Sequence, residues 1–250
     1  MVLNNIDKNN IKYIELDKIL THKGFNLTSF LNMVEFNLLL DPTALSSNFN
    51  INTFIDEVYD IINDLNNKVN PQKYDSTLLN NLDIRKLIVS LQGFSLVSKD
   101  WVHPFKDWIG NRKVLEIMSG LGVLSSALRE EGVDLISTDD YTATNFDFNT
   151  LWTNIEKLDA LTAIEKYGKE TDIIIMSWCY TDETGYNCLK KMREVNPNAV
   201  MIYIGEGVGG STGSLSLYEN MIEINDEAIH RINSLYPTWF GVHDKLYLIK

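Results

Sequence analysis

Along the first hundred residues the apolar positions recur at helical spacing. Ile51, Phe54, Ile55, Val58, Ile61, Ile62 and Leu65 fall on one helical face, and Asn70-Pro71 stops the run. Phe30, Leu31, Val34 and Leu38 mark a second stretch over 25–40, closed by Asp41-Pro42, and a third runs over 76–91. The spacing predicts a helical segment from about residue 10 to 95. After Trp108 the pattern changes. Short apolar runs alternate with amphipathic ones at 113–117, 124–130, 133–138, 160–167, 172–177, 186–195, 199–204, 215–235, 239–242 and 245–249. Strands alternating with helices imply right-handed crossovers and a mostly parallel, doubly wound α/β sheet. Only His243-Asp244 separates the last two runs, so they read as a hairpin that adds an antiparallel strand at the edge. The expected organisation is a helical N-terminal cap over 1–98 and an α/β domain over 99–250.

Composition narrows the class. The 250 residues carry a net charge of −12. Residues 101–250 hold 13 Lys and Arg against 22 Asp and Glu, so the acidity is concentrated in the half with the strand–helix pattern. A nucleic-acid surface must neutralise phosphates with Lys and Arg, so this balance argues against nucleic acid and for a small or cationic substrate. Simple solubility explains the acidity equally well. No apolar run is long enough to span a membrane, and the polar start carries no apolar signal core. The two cysteines, Cys179 and Cys188, form neither a metal-ligand nor a disulfide pattern. A reduced, cytoplasmic protein without a bound metal is expected.

The chemistry begins at 113–125, which reads as strand, glycine turn and helix start. Gly120 and Gly122 let backbone approach a ligand where a Cβ would collide. The next strand ends at Asp139-Asp140, where a carboxylate suits the two hydroxyl donors of a ribose or caps the following segment. A dinucleotide fingerprint would need a third glycine at position 125, which is Ser125.

Here the chain resembles the class I S-adenosylmethionine-dependent methyltransferases, whose first motif is an acid followed by glycines at alternate positions. Glu116 matches the acid, and Gly120 and Gly122 match the second and third glycines, while Met118 stands in place of the first. The resemblance covers about residues 111–250 and implies a seven-stranded Rossmann-like sheet. It places Glu116 near the methionine part of the cofactor and Asp139, with Asp140 beside it, on the ribose. Leu158-Asp159-Ala160 resembles the family's third motif, which puts Asp159 and Ala160 at the adenine. Asp159 is also a favourable helix cap, and the two roles are compatible.

Two further strand ends are candidates for the substrate side. Ser177-Trp178-Cys179-Tyr180 resembles the Asp/Asn/Ser-Pro-Pro-aromatic motif of amino-directed methyltransferases, with Ser177 and Tyr180 matching and both prolines replaced. In that family the polar group accepts a bond from the target amine and the aromatic ring packs on it. Packing of Trp178 and Tyr180 beneath the helical segment is the alternative. The strand at 199–204 empties into a loop with five of the chain's 14 glycines, at 205, 207, 209, 210 and 213. That loop reads as a lid, as an anion cradle or as a plain connector. Glu206 at the strand end could bind a cationic acceptor or remove a proton.

The expected function is S-adenosylmethionine-dependent methyl transfer to a small polar molecule at nitrogen, with Ser177, Tyr180 and Glu206 as catalytic residues. Ser177 is also counted with the cofactor site. Another S-adenosylmethionine-using transferase or lyase, or a cofactor-binding protein without turnover, stays open on the same residues.

Overall fold

In a computed structural model of the chain, the apolar runs after Trp108 become the strands of one twisted sheet. The structure describes residues 6–22, 93–144, 146, 148–149, 151–238 and 242–250, with single positions 27, 52, 53, 55, 56, 59 and 89. The strands are β1 (Val114–Ile117), β2 (Leu135–Asp139), β3 (Glu156–Lys157), β4 (Ile173–Ser177), β5 (Val200–Gly205) and β6 (Lys245–Ile249). Their order is β3-β2-β1-β4-β5-β6, parallel throughout except for the antiparallel pair β5–β6. The fold is therefore the expected Rossmann-like α/β sheet, with six strands among the described residues. The strand expected over 239–242 falls mostly on residues 239–241, which lie outside them.

Alternation along the strands builds two separate cores, as a parallel sheet covered on both faces requires. Val114, Ile173, Ile175, Ile202, Ile204, Leu246 and Leu248 face one layer, made by α2 (Lys99–Ile109), α3 (Val123–Glu130) and α7 (Glu227–Asn233). Trp101, Phe105, Leu128 and Ile229 are the anchors of that layer. Leu115, Ile117, Ile174, Met176, Met201 and Tyr203 face the other layer, made by α4 (Ala160–Tyr167), α5 (Thr184–Val195) and α6 (Leu215–Asn220). The strand order reverses between β1 and β4, which run parallel, so the crevice beyond their carboxyl ends is the place where this architecture binds ligands.

The run 215–235 is not one helix. Asp226 caps α7, its carboxylate accepting from the backbone N–H of Ala228 and Ile229. The intervening 221–226 turns away, and along the outer edge of β6 Ile222 and Lys250 exchange backbone hydrogen bonds while Ile224 N–H donates to Leu248 O. A cap and a sheet edge outcompete an apolar period that was compatible with continuous helix.

Of the helical N-terminal segment, α1 (Ile11–His22) is described. It lies beside Asp56 and Tyr59, since Asn10 donates to Asp56 and the Lys12 ammonium sits over the Tyr59 ring. The expected helices over 25–40 and 76–91, and most of 51–65, lie outside the described residues. Among the described residues no helix is long and apolar enough to cross a membrane.

Gly122 sits at the N-cap of α3 with φ +79°, and a Cβ there would lie 2.6 Å from Ile155 Cδ1 and 3.2 Å from Thr153 Cγ2. Gly132 has φ +85° with open space around it. Gly132→Ala should therefore cost only the left-handed backbone penalty, about 1–2 kcal/mol. Gly122→Ala should cost more, because Ile155 must also move. Urea denaturation of the two variants measures the difference, and equal losses would show that Ile155 yields freely.

Candidate active site

A cavity of about 440 Å³ opens at the carboxyl ends of β1, β2 and β4, within the size range of small-molecule sites, about 300–1,000 Å³. Its floor is the turn after β1, where Met118 holds φ 51° and Gly120 φ 57°. Met118 thus holds a left-handed backbone although it is not glycine, and its side chain packs against the core beneath α4 and α5. Trp178, immediately after β4, holds the same conformation at φ 51°. Backbone outliers on bulky residues persist only where surrounding structure fixes them. For Trp178 the fixing contacts are visible. Its N–H donates to Ile204 O at 2.7 Å, its ring stacks on Phe94 at 5.2 Å, and its Nε1 donates to Asp244 at 3.0 Å.

Five carboxylates line the cavity: Glu116, Asp139, Asp140, Asp159 and Asp182. None of the described lining residues is Lys, Arg or His. Glu116 is fully buried at the end of β1 and accepts a short hydrogen bond from the Ser125 hydroxyl on α3. Burial pushes its carboxyl up to about 7, against the opposing pull of Ser125 and Arg129. Asp139 accepts from Gly120 N–H at 2.8 Å on one oxygen and from Tyr141 N–H at 2.8 Å on the other. Burial raises its carboxyl above the ordinary range despite those two donors. Asp140 is exposed at the rim and accepts from the backbone and hydroxyl of Thr142. Asp159 caps α4, accepting from Thr162 N–H at 3.0 Å and its hydroxyl at 2.6 Å, while Asp159 and Ala160 both line the cavity. Asp182 likewise accepts from Thr184 N–H at the start of α5.

The substrate-side candidates divide. Ser177 lines the cavity at the end of β4, its hydroxyl 2.5 Å from that of Ser95. Tyr180 lines the rim and is 55% exposed, so it is free to meet a ligand and is not packed under the helical segment. Glu206 does not line the cavity. Its carboxylate turns back on its own loop and accepts from Ser211 N–H at 2.7 Å and His243 N–H at 3.2 Å. Burial raises that carboxyl, but the backbone donors outweigh it and hold the group below its ordinary value. The glycine loop around it is knotted internally. The Tyr218 hydroxyl lies 2.6 Å from both Glu206 O and Thr212 O, and a Cβ at Gly210 would meet Glu206 Cβ at 2.4 Å. The reading of this loop as a lid with a catalytic Glu206 is replaced by that of a tied connector. Gly122, expected at the cofactor, does not line the cavity; between the lining residues Leu121 and Val123 it forms the N-cap of α3.

Several lining residues had no signal in the sequence. Phe94 and Ser95 form the roof, together with Gly93 and Val97, and Phe146 closes over Gly120, 3.1 Å from where its Cβ would be. Phe94 also tilts against Phe146 at 6.0 Å, so roof and side wall touch. His103, in α2, is on the surface beside Glu131 and does not line the cavity. Among the described residues no group of His, Cys, Asp and Glu could hold a metal ion.

No protein-family model matches the chain, and no curated protein matches it. Solved structures do. The chain is similar to TehB from Haemophilus influenzae (17% identity, 66% of each chain covered, TM-score 0.41). It is similar to human N-acetylserotonin methyltransferase in complex with SAM (10% identity, 77% of this chain and 66% of that chain, TM-score 0.39). It is similar to WbdD (11% identity, 76% of this chain and 46% of that chain, TM-score 0.35). The chain spans about two thirds or less of the length of these proteins. The likenesses are distant.

Glu116 binds its proton more tightly folded than unfolded, because its folded value, about 7, lies above the ordinary 4.5. Its contribution to stability is therefore complete below about 4.5 and is lost as pH rises through about 7. Glu116→Gln should flatten the stability–pH curve across that window in denaturation series on the ligand-free protein. An unchanged slope would show that Glu116 is not the buried acid responsible.

Proposed function

We propose that the chain is an S-adenosylmethionine-dependent methyltransferase acting on a small polar acceptor at nitrogen. Residues 99–250 would hold the cofactor, and residues 1–98 would form a cap whose last residues roof the cavity. The observation that carries this reading is the cavity's charge: five carboxylates and, among the described lining residues, no basic side chain at the sheet's switch point. A phosphate placed 4 Å from one such carboxylate meets about 4 kcal/mol of repulsion at an effective dielectric of about 20. That disfavours dinucleotides and nucleoside phosphates. An adenosyl sulfonium suits the same walls. Its ribose hydroxyls, adenine amino group and ammonium all donate, and its sulfonium is a cation.

The roles follow from position. Glu116, deep beside Ser125, would face the ammonium end, Asp139 the ribose hydroxyls, and Asp159 with Ala160 the adenine edge. Asp140 stands at the rim near the ribose. When bound, the cofactor supplies a methyl group on a cationic sulfur. The protein's task is then alignment of the acceptor and exclusion of water more than acid–base chemistry. Ser177 would accept a bond from the acceptor's N–H, and Tyr180 and Asp182 at the mouth suit an acceptor that arrives as a cation. Glu206 acts at one remove, by fixing the connector after β5.

Calorimetry tests the reading directly. The protein should bind S-adenosylmethionine and S-adenosylhomocysteine, and NAD should not bind. Asp139→Ala should weaken cofactor binding by about 1.5–3 kcal/mol, the range for charge-assisted bonds. Binding of NAD in place of S-adenosylmethionine would overturn the assignment. Equal binding by wild type and variant would remove Asp139 from the cofactor site.

A further inference from the structure

Two segments clasp one another at the acceptor side of the cavity. Phe94 and Ser95 lie just before α2, and Ser177 and Trp178 leave the end of β4. They meet like on like. The Phe94 ring stacks on the Trp178 ring, with centroids 5.2 Å apart and planes 18° from parallel. The Ser95 hydroxyl is 2.5 Å from that of Ser177. All four residues line the cavity. Both rings are half-buried, and neither is among the side chains of the two sheet cores. The one polar atom of the Trp178 side chain, Nε1, donates at 3.0 Å to Asp244, which does not line the cavity. The two rings therefore offer a ligand aromatic carbon. The same cavity carries the five carboxylates, of which Asp140 and Asp182 are exposed.

The two kinds of wall select together. A neutral acceptor gains from the aromatic carbon and nothing from the carboxylates. A bare ammonium ion gains from the carboxylates but must give up its water to sit against carbon. An ammonium ion that carries alkyl groups presents charge and apolar surface at once. Aromatic rings, tryptophan above all, attract such a cation through their quadrupole. We propose that Phe94 and Trp178 form a cation-binding aromatic wall, and that the methyl acceptor is an alkylated amine bound as its ammonium ion. The proposal rests on the methyltransferase reading above and narrows its acceptor from a polar molecule to this class.

An alkyl amine is protonated at neutral pH, as lysine is. Of the two protons on the Ser95–Ser177 pair one lies between the oxygens, so a lone pair of Ser177 is left to accept the acceptor's N–H. Loss of that proton to water at the open mouth frees the nitrogen lone pair. The pair forms the N–CH3 bond as the S–CH3 bond breaks, its electrons going to sulfur. If the Phe94–Trp178 stack only fastened the roof to β4, any apolar pair would serve. The cavity would then not distinguish a cation from a neutral molecule of the same size.

Three small probes separate these cases. Tetramethylammonium carries charge and carbon, tert-butanol nearly the same carbon without charge, and ammonium the charge without carbon. Proton NMR titration of the methyl line of tetramethylammonium with the full chain should show binding. Added S-adenosylhomocysteine should leave that binding in place. Tert-butanol by direct titration, and ammonium by competition, should bind at least about tenfold more weakly. Trp178→Leu and Phe94→Leu should each weaken tetramethylammonium about tenfold, while Phe94→Tyr keeps most of the affinity. If neither leucine variant folds, the ranking of the three probes decides. Equal binding of tert-butanol would overturn the proposal, since carbon alone would suffice. Equal binding of ammonium would overturn it by making the rings irrelevant. Expulsion by S-adenosylhomocysteine would overturn it by assigning the rings to the cofactor. Failure of the methyltransferase reading would appear separately, as absence of S-adenosylmethionine binding in the calorimetry.

Discussion

The carboxylate of Asp139 ties the site together. It stands at the end of β2 and receives one backbone N–H from the turn after β1 and another from the turn after β2. Two strand ends that would otherwise leave unsatisfied donors at a water-lined edge are closed by one side chain. The charge that does this work is also exposed to the cavity, so the group that builds the turn is the group a ligand meets. Gly120 is held in its left-handed conformation from below by that bond and is covered from above by Phe146. Glu116 and Ser125 continue the arrangement one layer deeper, joining β1 to α3.

Much of this was legible in the sequence because it is local. The glycine turn and the acids at 116, 139 and 159 each announce a strand end through the residue next to an apolar run. The structure gathers them because parallel strands share one carboxyl edge. Met118 was visible as a departure from the glycine pattern. What could not be read was that its backbone keeps the left-handed shape, since neighbouring structure and not residue type enforces it.

The misreadings have a common cause. Glu206 sits at a strand end like the other acids, but its loop returns over it, and Ser211 and His243 occupy the carboxylate before any ligand can. The break within 215–235 depended on pairing with β6, which lies well downstream. Asp244 carries no local motif, and its partners Trp178 and Tyr236 come from different elements. Tertiary competition for hydrogen bonds decided each case. Periodicity and motif spacing do not carry that information.

The pairing of 222–224 with the end of β6 bears on how copies of this protein meet. A sheet edge with free backbone groups is a template for another strand, and natural proteins cover or blunt such edges. Here one edge is sealed by the chain's own return. The other is β3, two residues long, whose Glu156 is engaged by Lys166 and Tyr167. Among the described residues, neither end offers a long, flat row of donors and acceptors to a neighbour, so growth of this sheet from one molecule into the next has no long strand to build on.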